Sequence, residues 1–325
     1  MSHPIHVLDF HPDTHAWRQE VWEGLQKPQK ELPSKLFYDE RGSQLFEQIC
    51  ELPEYYPTRV EQAIMETHVK EMTKLMGEEC LLIEYGSGSS QKTRTLLEHL
   101  PQAAGYVPID ISKEHLQQSA AAIAAAYPDL EVLPVCADYE SDFYLPKPST
   151  QAARHVTYYP GSTIGNFHPS EAIAFLRQIR NICGLRSDLL IGVDLKKDKD
   201  ILHDAYNDRA GVTADFNLNI LVRLNRELGA DFALEQFQHE AFYNEEAGRI
   251  EMHLVSLCEQ TVRLDEHSFF FDADERIWTE SSYKYTLNEF AHLAEQAGFK
   301  PTKVWTDPER LFSVQYLTPA PIRQP

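Results

Sequence analysis

Basic residues are scarce in this chain. Among 325 residues, 30 Lys and Arg face 50 Asp and Glu, a formal charge of −20. Such a surface repels polyanions, and no local cluster of Lys and Arg offsets it, so DNA, RNA and anionic membranes are not expected partners. Cysteine is sparse as well. Cys50, Cys80, Cys136, Cys183 and Cys258 are scattered, odd in number and contain no Cys-x-x-Cys. That argues against a metal site or a disulfide framework and fits a cytoplasmic location. Long apolar runs are missing: stretches such as "LLIGV" fall far short of the ~20 residues of a membrane helix. The N-terminus "MSHPIHVLDFHPD" has no basic segment followed by an apolar one, so no signal peptide is expected. What remains is ordinary: 42% apolar residues, enough to bury the core of one large or two modest domains.

From residue 80 onward, strand and helix patterns alternate. "CLLIEYGS", "GYVPIDIS", "LEVLPVCADY", "RHVTYYPGS" and "SDLLIGVDL" read as five buried strands. Between them "QKTRTLLEHL", "KEHLQQSAAAIAAAY" and "HPSEAIAFLRQIRNICG" read as helices, the last opening near Pro169 and closed by Gly184. This order implies an α/β fold with a mostly parallel sheet. It breaks at residues 197–283, where "DAYNDRAGVTADFNLNILVRLNREL" is helical and "RIEMHLVSLCEQTVRL" alternates like an antiparallel strand pair. The pattern resumes with "YTLNEFAHLAEQAGF" and ends in "TKVWTD" and "FSVQYLT", too close in sequence to be other than antiparallel. The expected division is therefore 61–196 plus 284–325 as one domain and 1–60 plus 197–283 as a second α+β lobe.

The turn "EYGSGSSQKT" follows the first of these strands. Gly86 and Gly88 allow a tight turn, but Gln91 stands where a dinucleotide fingerprint needs a third glycine, and no Gly-Lys-Ser/Thr ends it as in a P-loop. On its own the turn is equally well explained by chain geometry. Two acids strengthen it: Asp110 at the end of the second strand, suited to ribose hydroxyls, and Asp138 at the end of the third, with Tyr139 beside it for a planar base. Ligands of open parallel sheets bind beyond the carboxyl ends of the strands, where these stretches converge. The final antiparallel pair and the missing glycine favour S-adenosylmethionine over a nicotinamide cofactor.

Several dispersed motifs then carry a specific resemblance: "FYDERGSQLFEQICELPEYYPTR", "YGSGSSQKTR", "YVPIDIS", "YPGSTIGNF", "AYNDRAGVTADFN", "RIEMHL" and "TESSYKY". Along nearly its whole length the chain resembles the S-adenosylmethionine-dependent L-histidine Nα-methyltransferases of ergothioneine biosynthesis. The resemblance implies a Rossmann-like class I methyltransferase domain with a discontinuous second domain that binds histidine, and three transfers that convert histidine to hercynine. It implies that Tyr38, Gly86, Ser87, Lys92, Asp110, Asp138 and Tyr139 contact S-adenosylmethionine, Lys92 through the methionine carboxylate. Tyr56, Asn166 and Tyr206, with the Gly161 backbone, would orient the main-chain groups of histidine. Met252, Glu280 and Ser282 would form the imidazole end. Catalysis would rest on Asn166, Tyr38 and Tyr56, with no metal and the protein expected to act as a monomer.

Without the family these residues say less. Tyr56 and Tyr206 read as interface aromatics, Asn166 as a turn residue, Met252 as core filler and Glu280 as a solvated acid. The competing classes are a methyltransferase acting on another amino acid, a nicotinamide oxidoreductase, and a hydrolase built on "GSTIG". The last lacks its serine at Thr163. A non-catalytic binding module is a further alternative, since fold alone is not function.

Overall fold

The computed structural model describes residues 6–10, 14–88, 91–100, 102–138, 143–184 and 187–321. The described residues fall into two compact units. The first draws on Met1–Pro12, Pro57–Lys196 and Lys284–Pro325, and the second on Asp13–Tyr56 and Lys197–Tyr283.

In the first unit eight strands form one sheet, in the order Leu8–Asp9, Val135–Cys136, Gly105–Asp110, Cys80–Tyr85, Arg154–Tyr159, Asp188–Asp194, Phe312–Pro319 and Phe299–Thr306. The first six are parallel; Phe312–Pro319 runs antiparallel to both of its neighbours. Cys80–Tyr85 and Asp188–Asp194 are buried along their whole length. Strands covered on both faces read as continuous apolar runs, which is why both were visible in sequence. The helix Tyr56–Met76 buries Met65, Val69, Met72 and Met76, a stripe at helical spacing, in the core with Leu82, Val156, Leu190 and Val314.

Two expectations are corrected here. The segment holding Leu8–Asp9 belongs to this sheet, paired with Val135–Cys136, and not to the second lobe. A strand of two residues has no periodicity to read. The third parallel strand is also shorter than "LEVLPVCADY" suggests. The backbone around it follows Gly105–Asp110, with Tyr106 N–H donating to the Glu131 carbonyl and Leu133 N–H to the Tyr106 carbonyl. Pro134 has no N–H to continue the ladder, so the strand proper is only Val135–Cys136 and Asp138 lies two residues past its end.

In the second unit four strands form a sheet in the order Lys30–Glu31, Arg276–Tyr283, Arg249–Ser256 and Phe237–Asn244. "RIEMHLVS" and "QTVRL" are both strands but not partners. Arg249–Ser256 lies between Phe237–Asn244 and Arg276–Tyr283, while Gln260–Leu264 pairs with His267–Phe271 in a separate hairpin. The helical stretch is two helices, Lys199–Tyr206 and Val212–Leu228. Between them the Asp208 carboxylate accepts the N–H groups of Val212 and Thr213, which caps the second helix. No helix among the described residues is long and apolar enough to cross a membrane.

Candidate active site

In the first unit the glycine turn is fastened to the strand beside it. The N–H groups of Gly86 and Ser87 both donate to the Ile109 carbonyl, at 2.9 and 3.2 Å. Gly88 N–H donates to the Asp110 carboxylate at 3.1 Å, and Ser112 N–H to its other oxygen at 3.0 Å. Gly86 and Gly88 have φ of +69° and +44°, which side chains resist, and a Cβ on either would meet nothing within 4 Å. Open space therefore borders the turn, as a ligand cradle requires. Asp110 is half-buried, and burial raises its pKa against the two backbone donors. An ionised carboxylate offers roughly four lone-pair sites, so two N–H donors leave capacity for a pair of vicinal hydroxyls. Ser87 is buried beside the turn, and Asp138 is half-buried. Tyr139 lies outside the described residues.

Two carboxylates that the sequence reading passed over stand under this turn. Glu84 sits in the buried strand and accepts the Tyr106 hydroxyl. Burial pushes its pKa up to about 7, the Lys92 charge opposing and the Asp110 charge assisting. Glu61 projects from Tyr56–Met76, is 0% exposed and forms an ion pair with Lys92. It also accepts the Gly161 N–H, at 2.9 and 3.1 Å to its two oxygens. The Gly161 N–H is thus taken up inside the protein. The loop goes on through Ser162, whose hydroxyl accepts the Asp194 N–H at 2.9 Å, into the short helix Thr163–Asn166. Asn166 closes that short helix. The clue to both acids was available. Glu61 precedes Met65 by one helical turn on the apolar stripe, and Glu84 interrupts an otherwise apolar strand.

In the second unit strand geometry decides which side chains share a face. Glu280 is directly opposite Met252, and Ser282 follows two residues later, so the three project from one face of the sheet. The Tyr206 hydroxyl donates to Ser282 Oγ at 2.8 Å. The Tyr55 ring packs edge-on against Tyr206, and its hydroxyl stays protonated: burial raises its pKa far above the usual value, and the charges of Tyr206, Cys50, Glu280 and Tyr38 add to this. Tyr38 joins the same aromatic row, edge-to-face with Phe46 and Phe216. The Tyr56 hydroxyl accepts from Lys197 Nζ at 2.5 Å. Met252 is 2% exposed and Glu280 half-buried, so neither is a solvated surface group. His253 points to the other face. It stacks on Phe242 and Trp278 and meets Glu251, its i−2 neighbour, at 3.2 Å.

The strand carrying Glu280 is irregular between Trp278 and Glu280. At that bulge Thr279 turns inward and donates to the side-chain oxygen of Asn217 at 2.7 Å. Asn217 in turn donates to His239 Nδ1 at 2.8 Å, and His239 Nε2 bonds the Tyr206 carbonyl at 2.9 Å. With Nδ1 accepting, the imidazole is neutral and Nε2 carries the proton, in keeping with its burial-lowered pKa. One buried amide thereby sets the backbone of both Tyr206 and the Glu280 strand. No sequence signal marked Asn217 or His239, since polar residues on a helix and an edge strand read as solvated.

A parallel sheet with one antiparallel strand next to its edge, together with a glycine turn bonded to a strand-end aspartate, defines a class I S-adenosylmethionine-dependent methyltransferase. Residues 17–319 match the family model described as histidine-specific methyltransferase, SAM-dependent, and the chain belongs to that family. It is similar to the histidine N-alpha-methyltransferase of Mycolicibacterium smegmatis, 43% identical over 90% of this chain and 92% of the relative. The protein of that name from Mycobacterium tuberculosis is 40% identical over 90% and 91% of the two chains. Ergothioneine biosynthesis protein 1 of Neurospora crassa is 33% identical over 85% of this chain, which spans 32% of that longer protein. Among the described residues no group of three or more His, Cys, Asp or Glu could hold a metal ion.

Proposed function

We propose that the protein transfers methyl groups from S-adenosylmethionine to the α-amino nitrogen of L-histidine, three times in succession, and so forms hercynine for ergothioneine biosynthesis. The observation that carries the substrate assignment is the shared face of Met252, Glu280 and Ser282. A thioether, a half-buried carboxylate and a hydroxyl on one face offer apolar contact and a hydrogen-bond acceptor, the chemistry that suits a heteroaromatic ring bearing an N–H. A site with paired polar atoms rejects rings that lack them, because its own groups are then left unsatisfied.

In this reading the first unit serves the donor. Gly86 and Ser87 pass close to the methionine moiety, Lys92 meets its carboxylate, Asp110 takes the ribose hydroxyls, and Asp138 with Tyr139 takes the adenine. Tyr38 serves the same ligand, and Tyr56, Tyr206 and Asn166, with the Gly161 backbone, hold the main-chain groups of histidine. When bound, S-adenosylmethionine supplies a methyl carbon already activated by a sulfonium. The protein therefore has to orient and not to activate, and orientation contributes on the order of 7–11 kcal/mol to such a reaction. Asn166 and the tyrosine hydroxyls hold the amine unprotonated. Its lone pair forms the new N–C bond as the C–S bond breaks and the electron pair leaves on sulfur. After each of the first two transfers the methylated ammonium gives a proton to water; the third product is a quaternary ammonium with no N–H proton to lose. A monomer acting on the free amino acid in the cytoplasm fits the acidic surface and the five free thiols.

Incubation with histidine and S-adenosylmethionine, followed by mass spectrometry, tests this reading. One, two and three methyl increments on the α-nitrogen are expected. Methylation of the ring nitrogens, or equal turnover of other amino acids, would contradict it.

A further inference from the structure

Glu61 has no place in the scheme above, yet three segments far apart in sequence are built around it. It continues the buried stripe of Tyr56–Met76, where an apolar residue would satisfy the packing. Its carboxylate holds the Lys92 ammonium and accepts the Gly161 N–H with both oxygens. The strand Asp188–Asp194 yields to it as well: a Cβ on Gly192 would lie 2.2 Å from Glu61 Oε1. Glycine in the middle of a buried strand weakens the strand, and here the missing methyl is the room the carboxylate occupies. A charge taken fully out of water is retained only with strong partners, and this one has an ammonium and a backbone donor.

We propose that Glu61 is a positioning residue for methyl transfer, which sets Lys92 on the donor side and the Gly161–Asn166 loop on the acceptor side from one buried carboxylate. This rests on the reading that Lys92 meets the methyl donor and that Gly161 and Asn166 meet histidine. Through the ion pair, Glu61 fixes where the Lys92 ammonium sits. By taking the Gly161 N–H, it fixes the peptide that opens the Gly161–Asn166 loop. A change at Glu61 should therefore affect both substrates, whereas a change at Lys92 should affect the donor alone.

The test compares Glu61→Gln, Glu61→Asp, Gly192→Ala, Lys92→Met and the double variant Glu61→Gln/Lys92→Met in the full chain. The readouts are KM for each substrate, kcat and melting temperature. Lys92→Met should raise the donor KM about tenfold and leave the histidine KM near wild type. Glu61→Gln keeps an acceptor for Gly161 but loses the charge. It should raise the KM of both substrates several-fold and lower kcat about tenfold, and its effect on the donor KM should be much smaller in the Lys92→Met background, the non-additivity expected of touching residues. Gly192→Ala displaces the carboxylate without removing it and should reproduce both the kcat loss and the rise in histidine KM; Glu61→Asp should fall between wild type and Glu61→Gln. If Glu61→Gln and Gly192→Ala lower only the melting temperature while Lys92→Met still raises the donor KM, Glu61 is a core ion-pair member and the proposal fails alone. Wild-type donor KM in Lys92→Met would overturn the donor assignment of Lys92 and the proposal with it.

Discussion

The two candidate half-sites are made of different material. The donor side of the first unit is mostly backbone: turn N–H groups, the Ile109 carbonyl and a carboxylate at a strand end. The acceptor side of the second unit is mostly side chains on one sheet face, held by Tyr206, Ser282 and the Asn217–His239 relay behind them. Backbone geometry comes from the fold, and in the proposed reading it serves the methyl donor that many methyltransferases share. Side chains on a strand face can be exchanged without altering the sheet, and that is where substrate choice can reside.

The contrast also appears in how charge is buried. In the first unit Asp194 and Lys284 pair at 2.8 Å with each side chain 1% exposed. Removal of one partner leaves a stranded charge, so Lys284→Ala should cost about 3–5 kcal/mol of stability, read by denaturant or thermal unfolding. A loss below ~1 kcal/mol would mean that the pair is not dry. Glu280→Ala should come next, raising the histidine KM about a hundredfold, since one buried ring N–H loses its acceptor. Calorimetry should find S-adenosylhomocysteine binding nearly unchanged in that variant, and equal losses for both ligands would erase the division of labour. Asp110→Asn should do the reverse on a smaller scale. It should weaken the adenosyl ligand about tenfold, a charge-assisted bond becoming a neutral one, with the histidine KM little affected.

The smallest effects are in pH, and the two units should move oppositely. Glu84 has a folded pKa of about 7 against an ordinary 4.5, raised by burial. Folding therefore favours its protonated form, and its contribution to stability declines as pH rises from about 4.5 through 7. His239 is depressed below 6.5 by burial. Its neutral form suits the fold, so its contribution is full above 6.5 and is lost as pH falls below that value. Unfolding curves at pH 5 to 8 should show Glu84→Gln flattening the decline on the alkaline side and His239→Gln flattening the acid side.

The parallel sheet was legible because its strands, buried on both faces, leave unbroken apolar runs bounded by glycine turns. The geometry of the glycine turn was legible as far as Gly86, Gly88 and Asp110, whose placement follows from backbone position. Asp138 was displaced by Pro134, an effect on hydrogen bonding that hydropathy does not register. The residues proposed for the acceptor were another matter. Tyr56, Tyr206 and Met252 carry the same hydrophobic signal as core residues, and Glu280 the same polar signal as surface ones, so only the family motifs singled them out. Glu61 and Glu84 escaped for a related reason: each is one charge inside an apolar pattern, and a pattern is read by its majority.

The central claim is that Glu280 grips the ring of a histidine whose amine is methylated. A crystal structure of the protein with histidine and S-adenosylhomocysteine tests it most directly. An imidazole N–H within hydrogen-bonding distance of the Glu280 carboxylate, with the ring against Met252, is the predicted result. Histidine bound elsewhere, with Glu280 turned to solvent, would contradict it.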